Sequence, residues 1–128
     1  MTSLAHFEAI AGALALPSKA VIDGRLVSSL SGATFDNVSP RHGRVLNQVV
    51  ACEAADIDAA VKSARLAFAD GRWRSLHYRD KKRILFKFAD LMERDAEALA
   101  VLESLDVGKP IKDAMAGDIP QAIRSLRY

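Results

Sequence analysis

Apolar positions change their spacing twice along this chain. Leu4, Phe7, Ile10, Ala11 and Leu14 recur at intervals of three and four, which predicts a helix within residues 1–19, closed by Pro17. Residues 20–53 then read as β segments. Residues 20–27 fold about Asp23-Gly24, a dipeptide suited to a tight hairpin turn. Ser31-Gly32 turns the chain into an extended segment at 34–38. Residues 39–43 form a loop through Pro40 and Gly43, and 45–51 form another strand.

From Ala54 onward the spacing is helical. Asp56 is placed to cap a helix whose stripe is Ile57, Ala60, Val61, Ala64 and Phe68, with Gly71 closing it. A second helix over 80–93 turns Ile84, Leu85, Phe88, Leu91 and Met92 inward and leaves Lys81, Lys82, Arg83 and Lys87 in water. A third, over 95–105, buries Leu99, Leu102 and Leu105. It stops at Gly108 and Pro110, since glycine permits a left-handed turn and proline cannot continue a helix. Residues 111–116 add a short helical turn. Asp118 caps a last helix, with Pro120 tolerated in its first turn and Ile123 and Leu126 on its stripe. That helix reaches Tyr128 with no terminating residue, so the expectation is a piece of a larger protein.

Composition narrows the class. In 128 residues, half are apolar and 27% charged, which suits a globular domain and argues against disorder. The net charge of +2 comes from interleaved signs and makes no case for nucleic acid or a membrane surface as partner. Arg72-Trp-Arg74 and Lys81-Lys-Arg83 lack the run of aromatics that a stacking surface needs, so they read as solvated faces. A lone cysteine, Cys52, makes no internal disulfide and fits a reducing compartment. The apolar run 9–16 has no basic residue ahead of it and Glu8 at its edge, unlike a secretory signal. The expected location is cytoplasmic.

The usual signatures of chemistry are missing: no GxGxxG, Walker A loop, HExxH or CxxC occurs. His6, His42 and His77 stand apart, without a second ligand at a metal-binding spacing. Cys52 precedes a helix start, yet Glu53 and Asp56 oppose a thiolate there, so it reads as structural. One constellation has oxygens to offer a hard cation: the extended backbone at Asn37 and Val38, and Asp106 near a helix end with unsatisfied carbonyls. The plainer alternative is that Asp106 terminates its helix or pairs with Lys109.

Taken in order, Val21-Ile-Asp-Gly24, Ser31-Gly-Ala-Thr-Phe35, Ser39-Pro40 with Gly43, and Asp56-Ile-Asp-Ala-Ala-Val61 with Ala67-Phe68 form a recognisable series. It continues through Gly71-Arg-Trp73, Ala89-Asp-Leu-Met-Glu93, Leu102-Glu-Ser-Leu-Asp-Val-Gly-Lys-Pro110, Asp118-Ile-Pro120 and Arg127-Tyr128. The series resembles the N-terminal part of the aldehyde dehydrogenase superfamily. The opening helix, Lys109-Pro-Ile111 and Asp118-Ile-Pro120 resemble the branch that oxidises γ-glutamyl-γ-aminobutyraldehyde and related amino aldehydes.

The resemblance implies a truncated α/β fold: an N-terminal helix, short strands with a hairpin, then four or five helices from the outer layer of a cofactor-binding domain. It makes 1–128 the N-terminal portion of that domain. Family members are several times longer and homo-oligomeric. Their thiolate attacks an aldehyde, hydride passes to NAD or NADP, and the thioester is hydrolysed to an acid. The family's nucleophile, base, oxyanion donor and cofactor contacts all lie beyond Tyr128, so no residue here takes a catalytic or cofactor-binding role. The family's sodium or potassium site carries onto Asn37, Val38 and Asp106, with Asn37 where threonine is common. The expectation is a chain inactive alone and prone to oligomers or a molten state. The rival reading is a free-standing helical interaction module that docks on a partner or full-length homologue.

Overall fold

The computed structural model describes residues 3–128, so Met1 and Thr2 of the predicted opening segment lie outside the described residues. The chain divides into two compact units. One comprises residues 17–38 and 45–77; the other comprises 3–16, 39–44 and 78–128.

The first unit is built on two antiparallel hairpins. β1 (Ala20–Ile22) pairs with β2 (Arg25–Val27), with Val21 opposite Leu26. Asp23 and Gly24 link them with φ of 52° and 70°. Positive φ at both central residues matches the right-handed twist of the strands, which is why Asp-Gly suits this turn. β3 (Thr34–Val38) pairs with β4 (Val45–Val50), with a register shift between Asn37 and Val38. Ser18 accepts a hydrogen bond from the Val50 N–H at 3.0 Å, and Asn47 Nδ2 donates to the Pro17 carbonyl at 2.9 Å.

α2 (Ala54–Ala69) completes this unit and corrects two expectations. Its N-cap is Glu53, and Asp56 lies inside the first turn. Asp56 is 5% exposed; its carboxylate accepts the Glu53 N–H and the Leu30 N–H, each at 2.9 Å. The second correction concerns the face. Ile57, Val61, Ala64 and Phe68 are exposed, whereas Asp56 is buried and Ala60, Ser63 and Ala67 are half-buried. Small residues let α2 approach the β1–β2 hairpin, so the contact face is the small-residue face, and size alone misassigns it.

The second unit is helical. α1 (Leu4–Ala13) is capped by Ser3 and ends ahead of the predicted Pro17, because Leu14 already has extended dihedrals. α3 (Tyr78–Arg94), α4 (Ala96–Val107) and α5 (Ile111–Asp113) follow. A π-turn at Ala114–Asp118 then leads directly into α6 (Ile119–Arg127). Gly108 caps α4 in the left-handed conformation, φ 74°, as predicted.

The core of this unit is Ala89, Ala100, Ala114, Ile119 and Ile123, with Met92, Leu99 and Met115 packed around it. Three alanines with no exposed surface sit where helices approach closely. On α4 the buried residues are therefore Ala100 and Val101, while the predicted Leu99, Leu102 and Leu105 are only half-buried. On α3 Ala89 is buried and Met92 half-buried, while Ile84, Leu85, Phe88 and Leu91 are exposed, against the expectation. Lys82, Arg83 and Lys87 are exposed as predicted, but Lys81 is half-buried.

Asp118 does not cap α6 either. It has helical dihedrals and makes no side-chain cap bond. Pro120 lacks an N–H, and the preceding turn widens so that the Ile119 N–H reaches the Ala114 carbonyl five residues back. The chain thereby stays helical where an interruption was predicted.

Candidate functional site

The second unit contains a groove of about 560 Å³ lined by Leu4, Phe7 and Ala11 of α1, by Ser39, Arg41 and His42, by Val101 and Leu105 of α4, and by residues 108–112. Its far wall is set by the α4 stop. Ser104 Oγ donates to the Lys109 carbonyl at 2.7 Å, and a Cβ at Gly108 would come within 3.0 Å of Pro40 Cγ. α1 closes the near wall, with His6 Nε2 and Glu97 Oε2 2.9 Å apart and both side chains nearly half exposed.

Lys109 is committed within the fold. Its Nζ donates to Asp118 Oδ2 at 2.6 Å, and that hydrogen bond holds its ammonium above the usual lysine range. The π-turn brings Asp118 to Lys109. This pairing had no sequence signal, because the spacing presumed two separate helices. Arg127 was missed in the same way. It donates to Asp90 Oδ1 at 2.6 Å and to Glu93 Oε2 at 2.7 Å, tying α6 to α3. The Asp56 contacts were closer to legible, since Glu53 and Asp56 have the three-residue spacing of a reciprocal cap.

The predicted cation residues have different surroundings. Asn37 Nδ2 donates to Asn47 Oδ1 at 3.2 Å across the β3–β4 hairpin, and Val38 follows at the register shift with an exposed side chain. Asp106 lies in the last turn of α4, in the other unit. Among the described residues there is no group of three or more His, Cys, Asp or Glu side chains able to hold a metal ion. Cys52 is half-buried just ahead of α2, and His42 lines the groove.

Dinucleotides bind open α/β sheets in the crevice at the carboxyl ends of parallel strands. The strands described here form two antiparallel pairs. The residues present do not make up such a crevice, and no step through NAD is assigned to them. Among the described residues, no helix is long and apolar enough to cross a membrane.

Comparison with known proteins places this geometry. The chain is 44% identical over 128 residues to the aminoacetaldehyde dehydrogenase of Pseudomonas aeruginosa, covering all of this chain and 26% of that one. The crystal structure of the γ-glutamyl-γ-aminobutyraldehyde dehydrogenase from Burkholderia cenocepacia superposes with a TM-score of 0.95 at 41% identity, over 98% of this chain and 26% of that chain. The indole-3-acetaldehyde dehydrogenase AldA of P. syringae, solved with NAD+ and IAA, gives 0.95 at 43% identity, over 99% and 26%. The chain thus spans about a quarter of the length of these relatives. Residues 26–128 match the profile of the aldehyde dehydrogenase family, and with α1 and both hairpins superposing as well, the chain belongs to that family and has its α/β fold in part.

Proposed function

We propose that residues 1–128 are the N-terminal portion of the cofactor-binding domain of an NAD- or NADP-dependent aldehyde dehydrogenase, a cytoplasmic oligomer. The enzyme would oxidise an amino aldehyde, such as γ-glutamyl-γ-aminobutyraldehyde, to its carboxylic acid. The observation that carries this reading is the end-to-end match, α1 included, to an aminoacetaldehyde dehydrogenase and a γ-glutamyl-γ-aminobutyraldehyde dehydrogenase. In this reading the chain supplies scaffold: Asp56 fixes the start of α2, the Lys109–Asp118 pair fixes the α4–α6 junction, and Arg127 fixes α6 on α3.

The chain alone is inactive in this account. Purified chain mixed with NAD+ and aminoacetaldehyde should give no rise in NADH absorbance, and turnover would refute the reading. Cys52 is structural in this account and labels slowly with iodoacetamide at neutral pH; rapid stoichiometric labelling would assign it reactivity.

The sodium or potassium role of Asn37, Val38 and Asp106 belongs to the longer protein and rests on the family resemblance. There, Asp106→Ala should diminish any potassium dependence of the melting temperature. Identical melting with and without potassium in both forms would remove that role.

A further inference from the structure

The groove of the second unit is bordered by a polar group that the fold leaves unused. Ser39 is 2% exposed, and its backbone is fully paired: its N–H donates to the Arg44 carbonyl at 2.8 Å, and its carbonyl accepts the Gly43 N–H at 2.9 Å. Its hydroxyl has no hydrogen-bond partner among the described residues. None of those residues has a side-chain oxygen or nitrogen both sealed from solvent and unpaired, so the sliver of surface that Ser39 keeps includes this hydroxyl. That surface borders the groove. A nearly buried hydroxyl without a protein partner points to a bound molecule that completes it.

Charge and shape narrow what that molecule is. Arg41 and Lys112 line the groove, are exposed, and form no ion pair among the described residues. Lys109 is neutralised by Asp118, and Glu8 is the one uncommitted carboxylate on the lining. Two free cations against one free carboxylate leave a single positive charge to be matched. The remaining walls are apolar, from Phe7 and Ala11 of α1, Val101 and Leu105 of α4, and Ile111. A groove of about 560 Å³ suits a small molecule, for which ligand sites run from about 300 to 1,000 Å³. The loop presenting Ser39 and Arg41 is held in place by its two backbone hydrogen bonds and by Pro40 packed on Gly108.

We infer that this groove binds a monocarboxylate with an apolar body. Ser39 Oγ donates to one carboxylate oxygen, Arg41 pairs with the charge, and the apolar walls of α1 and α4 cover the chain of the ligand. The inference concerns residues 3–128 themselves and does not rest on the enzymatic reading.

The test is calorimetric titration of the 128-residue chain with octanoate and with octanol, which has the same carbon chain and no charge. One octanoate should bind per chain, at least about tenfold more tightly than octanol. Arg41→Gln should abolish that preference, and Ser39→Ala should weaken octanoate by about threefold or more. Lys87→Gln, at an exposed position on α3, should change neither. Preference is a ratio within one protein, so partial unfolding of a variant does not imitate its loss. The same titration is repeated on residues 1–128 fused to the remaining three quarters of the P. aeruginosa aminoacetaldehyde dehydrogenase, with circular dichroism to confirm folding, and should give the same preference. Equal binding of the acid and the alcohol, or a preference that survives Arg41→Gln, overturns the inference. So does the absence of octanoate binding, which would leave water as the partner of Ser39. Binding lost in the fusion also overturns it, by showing that the rest of the subunit fills the groove. No cofactor or turnover enters the readout, so each of these failures leaves the enzymatic reading standing.

Discussion

The residues that hold this chain in shape are polar groups at joints. Asp56 accepts two backbone N–H groups from different segments, at Leu30 and Glu53. Removing the acceptor strands donors worth about 1–3 kcal/mol each when buried. Asp56→Ala should therefore destabilise the first unit by about 2–6 kcal/mol on that basis, read from urea unfolding. A loss under about 0.5 kcal/mol, the usual effect of a surface substitution, would mean water replaces the carboxylate. Lys109 gives a pH signature. Its folded value is raised by the Asp118 hydrogen bond, so its contribution is fully present below the ordinary lysine value and is lost as pH rises through the raised one. The gap in melting temperature between the native chain and Lys109→Met should hold at pH 8 and shrink toward pH 11.5. A constant gap would show that the lysine stem, not its charge, matters. The two joints differ in legibility. The acidic residue Asp56 announces a helix start, though Glu53 and not the predicted Asp56 takes the cap position, whereas nothing in the spacing of Lys109 and Asp118 foretells their contact.

Elements were legible where a backbone constraint dictates the residue. Asp23-Gly24 predicts its turn because both positions take positive φ, and Gly108 predicts its helix end for the same reason. Gly108→Ala should cost about 1–2 kcal/mol for the left-handed backbone. Crowding by Pro40, 3.0 Å from the new Cβ, adds to that. A neutral result in thermal unfolding would mean that the 39–44 loop yields freely. Faces were less legible. Periodicity finds the largest apolar residues, yet α2, α3 and α4 meet their own units through Ala60, Ala89 and Ala100. Close approach selects small side chains, and the large ones stay on the exposed faces. The helix break expected at Asp118 failed because a π-turn absorbs Pro120. The cation residues were reached only through family resemblance, since local spacing carries no information about convergence.

As a whole the molecule holds too little apolar mass inside. No large side chain is fully buried, while Ile57, Val61, Phe68, Ile84, Phe88 and Leu91 remain exposed among the described residues. A domain of this length ordinarily buries about two thirds of the surface its unfolded chain exposes. The isolated chain should bind the dye ANS and form concentration-dependent oligomers; a monodisperse monomer with a sharp two-state melt and no ANS signal would contradict this. Both behaviours follow from the exposed apolar side chains. The most direct test fuses residues 1–128 to the remaining three quarters of the P. aeruginosa aminoacetaldehyde dehydrogenase and follows NADH formation with aminoacetaldehyde. The account predicts turnover within about tenfold of that relative, about 1.4 kcal/mol in barrier height, and none from the 128-residue chain. A folded fusion without activity, or NADH formed by the short chain unaided, would contradict it.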